Sequence, residues 1–519
     1  MYVGLLIYFF LTVTGGFKPI IKDSRTFIKS TNHLFKKVRG FYGLIGPNIN
    51  KTGIDNLYDL FTGDGIIQGV FFQEENITFV KHFVRTEKLV HESIYGKFSK
   101  NILITPFYVL LNKLGFIPNV LGLANTAISK FGDKIFALFE RDYPYQIGIN
   151  FENHTITTVK KVHIPGLAHF SGHSKEYTDG SLDGSLDGSL DGSLDGSLDG
   201  SLDGSPNGSL DGSPNGSLDG SLDGSLDGSP NGSPDGSPDG SPDGSLDGSL
   251  DGSLDGPPEI HSIDYEVMYK TVDYYKFSPE FDLLKKIQIK TEYIPIIHDF
   301  VVFKNKFILL DSPFKWDWTQ KIPAVFDRSK PSYIYLYDNT ENILRKIPAK
   351  PPGFYIFHYA DIEEINSKIN IYAPVYDKLD FSSMDISGKY RKITIHEDSL
   401  ITHKNPVLEN MNLDFPQKWR SYVILRGIKD RRITEFVVCK GLTIITKIKL
   451  PENRFFCGEH SVVEIEDRPY LVGFSYDASD KGYICIIGVF TEEYAEEEID
   501  HSVTIGFHSI FLSSSSSYF

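Results

Sequence analysis

Short runs in which apolar and polar residues alternate recur along most of this chain, separated by turn-forming residues. Two such runs, 67–72 and 77–84, flank the polar residues 74–76, as expected of a β-hairpin. Further runs follow at 293–297, 300–311, 333–337, 369–373, 390–396, 419–425, 433–439, 442–448, 461–465, 470–476 and 482–490. Many short strands with few helix signals predict an all-β fold, which the pattern leaves open as a sandwich, a barrel or a propeller.

The segment 102–122 interrupts this pattern. It is apolar but broken by Pro106, Gly115 and Pro118, so it is not a membrane-spanning helix. Two interpretations remain open. The segment is either a helix packed on the β core or an apolar patch that dips into a membrane surface, which would make a peripheral membrane contact.

Residues 179–256 form a low-complexity repeat of Asp-Gly-Ser-Leu tetrapeptides, varied to Asp-Gly-Ser-Pro or Asn-Gly-Ser-Pro. Glycine and serine fill half of the positions and aromatic residues are absent, so too little apolar surface is present to offset the entropy of ordering. We predict a disordered insertion within one domain made of 17–178 and 257–519. Calcium binding is the alternative, but calcium-binding β-rolls repeat every nine residues.

The repeat also dominates the charge of the chain. Its 17 aspartates account for the whole formal charge of −16, and without them the remaining chain has a charge of +1. A nearly neutral folded part gives no basic footprint for nucleic acid. Three scattered cysteines are too few for a disulfide framework.

The first 13 residues are almost entirely apolar and contain no Lys or Arg. This run is too short to span a bilayer core of about 30 Å, and small residues follow it. We predict that residues 1–16 are a signal-like leader that gives access to the secretory pathway, with a plastid-type organelle or a membrane as a later destination. The alternative is a buried first strand.

Four histidines lie in similar apolar surroundings, each beside a strand-like run. They are His173, His298, His358 and His508. One such histidine is usually a core residue, whereas four suggest a metal site, because imidazole suits Fe, Cu and Zn. Catalytic zinc generally has three protein ligands, which disfavours a zinc hydrolase.

Eight short motifs occur in the order typical of one enzyme family. They cover 43–48, 61–67, 83–89, 125–127 with 137–140, 170–175, 297–300, 354–358 and 506–509. The sequence Phe-Val-Arg-Thr-Glu at 83–87 is one of the clearest. Together these motifs resemble the carotenoid cleavage oxygenase family, the non-haem iron enzymes that split polyenes with O2.

This resemblance implies a seven-bladed β-propeller with a short helical or apolar cap, in which each ligand histidine comes from an inner strand. It also implies that Fe(2+) is the cofactor, bound by His173, His298, His358 and His508. His169 is a rival for the first ligand, but the lysine two residues after His173 matches the family motif.

The family orients its ligand histidines with three glutamates. Two carry over by the resemblance, as Glu140 and Glu459. The third is expected in a Glu-Phe-Pro-x-x-Asn-Pro motif that we align with residues 400–406, where Leu400 replaces the glutamate and Asn405 and Pro406 match the last two positions. Loss of this partner is expected to weaken metal binding or activity by about 10 to 100-fold, unless Glu397 or Asp398 substitutes for it.

The resemblance therefore implies a dioxygenase that cleaves a conjugated double bond of a carotenoid or apocarotenoid. Its partners would be an apolar polyene and O2, and its products two carbonyl compounds. Two alternatives stay open. One is a non-redox enzyme similar to the retinoid isomerohydrolase. The other is a degenerate propeller that binds an apocarotenoid or lipid without turnover, which Leu400 favours and the four histidines oppose.

Overall fold

The structure is a computed structural model that describes residues 22–49, 57, 61–74, 76–99, 104–177, 258–320, 323–499 and 502–514. Within the repeat it describes only five dipeptide strands: Leu194–Asp195, Leu202–Asp203, Leu210–Asp211, Leu218–Asp219 and Leu226–Asp227. The predicted leader 1–16 lies outside the described residues, as does the rest of the predicted insertion 179–256. Both therefore stay predictions, as do the domain boundaries.

Antiparallel sheets of four or five strands make up most of the described chain. The first consists of Ser24–Lys29, Asn76–Phe83, Gly65–Gln73, Gly40–Pro47 and Ser509–Ser513. The second consists of Ala127–Phe131, Lys134–Leu138, Tyr145–Asn150 and Thr155–Lys161. The third consists of Leu283–Lys290, Thr271–Phe277, Glu259–Glu266 and Lys175–Tyr177. The fourth consists of Val301–Phe303, Lys306–Asp311, Tyr333–Asp338 and Ile343–Pro348. The fifth consists of Tyr355–Ile356, Asp361–Ile365, Lys368–Tyr376, Gly388–His396 and Ser399–His403.

The described chain also contains a nine-stranded sheet and a separate two-stranded sheet of Phe314–Trp316 and Ala324–Phe326. One half of this sheet consists of Leu413–Trp419, Tyr422–Lys429, Arg432–Lys440 and Thr443–Lys449. The other half consists of Arg454–Phe456, Ser461–Ile465, Arg468–Asp477, Gly482–Gly488 and Tyr494–Ile499. The predominance of β structure is confirmed, whereas the number of seven blades stays a prediction.

Burial along the strands explains why the sequence alternates in some places and not in others. The strand Lys368–Tyr376 lies between neighbours and is buried at every position after the first. The edge strand Thr443–Lys449 alternates between exposed and half-buried positions. Central strands thus read as continuous apolar runs and outer strands as alternating ones.

The two ends of the described chain meet in the first sheet. Ser509–Ser513 pairs antiparallel with the beginning of Gly40–Pro47, in a register that places Gly43 opposite Ile510. Pairing between residues so far apart in sequence ties the C-terminal segment to the N-terminal part of the fold.

Some predicted strand boundaries are wrong. The run 300–311 forms two strands joined at Lys304 and Asn305, and the run 419–425 is divided by a turn at Arg420. The run 293–297 is not a strand, because Pro295 lacks an N–H and the segment forms no ladder.

Helices are short. The described ones are His33–Lys37, Glu87–Tyr95, Thr105–Lys113 and the 3-10 turn Leu408–Asn410. Among the described residues, no helix has the length and apolar character needed to cross a membrane. The helix Thr105–Lys113 lies within the predicted apolar segment 102–122, and its buried Tyr108 and Leu111 pack against Phe98 and Ile117.

Candidate metal centre

The four predicted histidines lie together, although none belongs to a strand. Each occupies the segment that leads into an edge strand of a different sheet: His173 before Lys175–Tyr177, His298 before Val301–Phe303, His358 before Asp361–Ile365, and His508 before Ser509–Ser513. Each histidine thus lies one to three residues before an edge strand, and the expectation that these are the inner strands of propeller blades stays a prediction. Irregular backbone just before each strand lets the imidazoles turn towards a common point.

The nitrogens of these histidines converge closely. One ring nitrogen from each lies within 4.8 Å of the others, and the Nε2 atoms of His173 and His298 are 2.9 Å apart. Ring centroids of His173 and His508 are 4.4 Å apart, and those of His358 and His508 are 5.0 Å apart. The rival His169 is not in this group; its Nδ1 lies 3.1 Å from Asp264 Oδ1.

Carboxylates hold three of the four rings by the nitrogen that faces away from the centre. Glu140 Oε1 lies 3.0 Å from His298 Nδ1, and Glu459 Oε1 lies 3.2 Å from His508 Nδ1. Both predicted glutamates thus contact histidines of the cluster. A carboxylate at Nδ1 fixes the tautomer that leaves the Nε2 lone pair free to bind a metal.

The third carboxylate is Asp414, which the sequence analysis missed. Its Oδ1 lies 2.8 Å from His358 Nδ1, and its Oδ2 accepts a hydrogen bond of 2.5 Å from the hydroxyl of Tyr376. The signal was present in the sequence, because Asp414-Phe415-Pro416 matches the Glu-Phe-Pro start of the family motif with aspartate in place of glutamate.

The alignment of that motif with residues 400–406 is therefore wrong, and so is the loss of an outer carboxylate inferred from it. Leu400 is a core residue of the strand Ser399–His403. Neither proposed substitute contacts the histidine cluster. Glu397 lies in the preceding turn, and the side chain of Asp398 is 88% exposed and pairs with Arg345.

Each carboxylate has further donors that hold it in place. Thr126 Oγ1 donates to Glu140 Oε2 over 3.1 Å, and the backbone N–H of Ser509 donates to Glu459 Oε2 over 2.7 Å. Burial alone would raise the pKa of Glu459, but the positive charge and hydrogen bond that His508 can offer outweigh it and hold the pKa at about 2. Burial likewise raises the pKa of Glu140, but the hydrogen bond and charge interaction with His298, together with the other hydrogen bonds to this carboxylate, outweigh it, so the pKa is lowered.

Two of the four histidines, His173 and His358, are held towards the neutral form. Burial, together with the neighbouring imidazoles and Lys175, places the pKa of His173 well below its ordinary value. Burial also lowers the pKa of His358, although Asp414 acts in the opposite direction. Neutral imidazole is the form that binds metal.

Close packing positions the Glu459–His508 pair. Gly458 adopts φ +113°, and a Cβ there would lie 2.8 Å from a methyl carbon of Leu44. A Cβ on Gly506 would lie 2.2 Å from Cγ of the same leucine. Glycine is therefore required on both segments where they cross Leu44, just before the carboxylate and the imidazole.

A buried arginine and a strained aromatic residue adjoin the cluster, and their contact was not predicted from the sequence. The ring of Phe415 lies 4.5 Å from that of His358, and its φ of +55° is unusual for an aromatic residue. The guanidinium carbon of Arg426 lies 3.3 Å from the centre of this ring. Burial lowers the pKa of Arg426 to about 10, against the influence of Glu459 and Asp414.

These features fit a divalent metal ion. In the described part of the chain, His358 Nε2 is buried without a hydrogen-bond partner, and two imidazole Nε2 atoms 2.9 Å apart repel each other unless a cation or proton lies between them. Three carboxylates, Glu140, Asp414 and Glu459, face one cation, Arg426. The surrounding shell thus carries two negative charges in excess, which a divalent ion would neutralise.

An aromatic cluster borders the histidines on one side. Its buried members are Leu57, Ile294, Phe314, Tyr355, Phe357, Tyr376, Leu379 and Phe507. Phe357 and Phe507 directly precede His358 and His508, so their rings bring this apolar surface up to the centre. The ring of Phe357 lies 5.5 Å from that of His298.

The chain is similar to known proteins in sequence. The family described as Retinal pigment epithelial membrane protein matches residues 36–182 and 254–513. Carotenoid 9,10(9',10')-cleavage dioxygenase 1 of Phaseolus vulgaris is 30% identical over 160 residues, which cover 28% of this chain and 29% of that protein. The Arabidopsis thaliana enzyme of the same name is 30% identical over 151 residues, covering 26% and 28%. These matches thus span less than a third of each relative.

Solved structures resemble the whole fold. Cobalt-substituted Synechocystis ACO superposes with a TM-score of 0.64 at 17% identity, covering 96% of this chain and 97% of that one. A variant of Synechocystis apocarotenoid oxygenase gives a TM-score of 0.65 at 17% identity, covering 97% and 98%. At this identity the likeness establishes a shared β-propeller-type fold.

Proposed function

Because this chain belongs to the carotenoid cleavage oxygenase family, we propose that it is an Fe(2+)-dependent dioxygenase that cleaves a conjugated double bond of a carotenoid or apocarotenoid. One O2 is consumed, the carbon–carbon double bond is broken, and each new end becomes a carbonyl group. The observation that carries the proposal is the convergence of four histidines within 4.8 Å, three of them oriented by buried carboxylates.

The proposed ligands are the Nε2 atoms of His173, His298, His358 and His508. Iron bound there would supply the site at which O2 is activated beside the double bond. Four neutral ligands leave the charge of the ion to be balanced by Glu140, Asp414 and Glu459 at the outer nitrogens. These carboxylates would also keep Nδ1 protonated on His298, His358 and His508, so that the Nε2 atoms of these three histidines stay available to the metal.

The aromatic cluster supports an apolar substrate. A polyene is rigid and apolar, and it can lie against aromatic rings without leaving a buried polar group unsatisfied. Phe357 and Phe507 would hold a double bond next to the histidines and exclude water from it. Which bond is cut would then depend on how far the polyene extends past these two rings.

Product analysis tests the proposal. Iron-loaded protein is mixed with a panel of carotenoids and apocarotenoids in detergent micelles, and the loss of visible absorbance is followed together with O2 uptake. We expect bleaching with one O2 consumed per double bond and two carbonyl products. Conversion of a retinoid ester without O2 uptake would instead support the isomerohydrolase alternative. Tight binding of a polyene without conversion would support a carrier, although the main reason for a carrier disappears with the assignment of Asp414.

We also propose a peripheral membrane contact through 102–122 and the neighbouring helix Glu87–Tyr95. Large apolar side chains on these segments are exposed: Val90, Ile94, Tyr95, Phe107, Leu110, Leu114, Phe116 and Leu121. Exposed fractions reach 54% for Ile94 and 58% for Phe116. An apolar patch of this kind suits a protein that takes its substrate from a lipid surface. Entry into the secretory pathway by the leader remains part of the proposal.

A further inference from the structure

The two sides of the histidine cluster differ in chemical character. On one side, Phe357 and Phe507 come directly before their histidines and belong to the aromatic cluster. On the other side lies a single cavity that is separate from the aromatic cluster. The residue that follows each histidine lines this cavity: Ser174, Asp299, Tyr359 and Ser509. The segments 357–359 and 507–509 therefore pass from the apolar side of the cluster to the largely polar side.

The polar side is a cavity of about 250 Å³. Three of the four histidines line it, His173, His358 and His508, together with Glu459 at its inner end. The remaining lining is Ala127, Ile128, Ser129, Gly172, Ser174, Lys175, Asp299, Tyr359, Pro416, Gln417 and Ser509. We call this space the polar cavity. Most of its polar groups carry oxygen atoms that can coordinate a cation in place of water.

Exposure changes with depth in the polar cavity. The side chain of Lys175 is 35% exposed, whereas that of Asp299, its partner at 2.8 Å, is 3% exposed. Ser129 and Gln417 are half-buried, and His358 and Glu459 are buried. The ion pair of Lys175 and Asp299 thus connects a solvent-facing rim with the inner end, where the histidines lie.

We propose that the polar cavity is the route by which the metal ion reaches the four histidines. This inference rests on the proposed function, since it assumes that the histidines bind a metal. A hydrated cation that entered past Phe357 and Phe507 would lose its water among apolar groups, at a large cost in free energy. Through the polar cavity it can exchange water for hydroxyl, amide and carboxylate oxygens step by step.

Narrowing the route gives a sharp test. Gln417→Trp and Ser129→Phe place large side chains in the polar cavity from two different strands, and neither position is a proposed ligand. Phe381→Trp is the matched control, because it enlarges a partly buried residue of the aromatic cluster. Metal-free protein of each kind is mixed with Co(2+), and loading is followed by the absorbance of the bound ion. Release is measured separately with excess chelator.

A barrier on a route slows entry and exit equally and leaves the equilibrium unchanged. We expect loading and release to slow by roughly tenfold or more in Gln417→Trp and Ser129→Phe, with an unchanged Kd and normal rates in Phe381→Trp. Wild-type rates in both cavity variants would overturn the inference, as would slowing confined to Phe381→Trp. A weaker Kd with unchanged release would also overturn it, because the substitutions would then act on the bound state. Failure of the unaltered protein to bind cobalt would instead refute the proposed function itself.

Discussion

Asp414 is the outer carboxylate whose role can be tested most sharply. In Asp414→Asn the amide oxygen can still accept a hydrogen bond from His358 Nδ1, and the hydroxyl of Tyr376 can rotate to accept one from the amide. The side chain keeps its volume and both contacts, so the negative charge is the main loss. The effect therefore isolates the electrostatic support that Asp414 gives to His358.

The expected magnitude follows from the contact. A hydrogen bond of 2.8 Å between Asp414 and His358 is buried, and hydrogen bonds to charged groups contribute about 1.5 to 3 kcal/mol. Outer partners of ligand histidines alter metal affinity by about 10 to 100-fold. We expect a loss of this size in Asp414→Asn, with a folded protein.

The Kd for Co(2+) or Fe(2+) is measured by competition with a chelator. Thermal unfolding of each variant shows whether it is folded. Asp398→Asn is the matched control, because this aspartate is exposed and was one of the substitutes considered from the sequence alone. Its metal affinity should change less than about twofold, as expected for an exposed ion pair. Equal affinities in Asp414→Asn and the wild type, or equal losses in the two variants, would refute the assignment.

Three further predictions concern stability and membrane binding. Gly506→Ala places a methyl group 2.2 Å from Leu44 Cγ, so it should destabilise by about 1 to 3 kcal/mol and lower Tm; an unchanged Tm would contradict the packing. Burial raises the pKa of Asp311 from its ordinary value of 3.8 to about 6, so its ionisation destabilises the fold as the pH rises from about 4 to about 6. The gain in stability from Asp311→Asn should be larger at pH 8 than at pH 4.5, by about 2 kcal/mol, and a gain independent of pH would refute this. Leu110→Asp should reduce flotation with lipid vesicles, whereas Trp318→Ser should not, because Trp318 is even more exposed than Leu110 but lies outside the patch; equal effects would argue against the membrane contact.

The sequence predicted the β-rich fold because alternation is strong in edge strands such as Thr443–Lys449. The prediction of strand boundaries was less reliable where strands are buried on both faces or are interrupted. The run 293–297 looks like a strand by composition, yet Pro295 removes a donor and the segment instead carries His298 to the cluster. Local pattern does not reveal this, because the pairing partners of a segment lie far away in the chain.

The sequence predicted the four histidines of the candidate site but missed one of its carboxylates and the contact beside it. His173, His298, His358 and His508 could be identified because each lies in a recognisable motif. Asp414 was missed because the motif was aligned by its last two residues, on Asn405 and Pro406. Alignment by its Phe-Pro pair, on Phe415-Pro416, would have identified the aspartate. The contact between Arg426 and Phe415 depends on strand register and on a left-handed residue, neither of which a single sequence displays.

The central claim is that the four histidines bind one catalytic iron, and iron content tests it most directly. Protein purified without oxygen is analysed for metal beside His298→Ala, which removes one ligand and leaves Glu140 without its partner. The account predicts about one iron per chain in the unaltered protein and a large loss in the variant. Protein that stays free of iron after loading with Fe(2+), while remaining folded, would contradict the account.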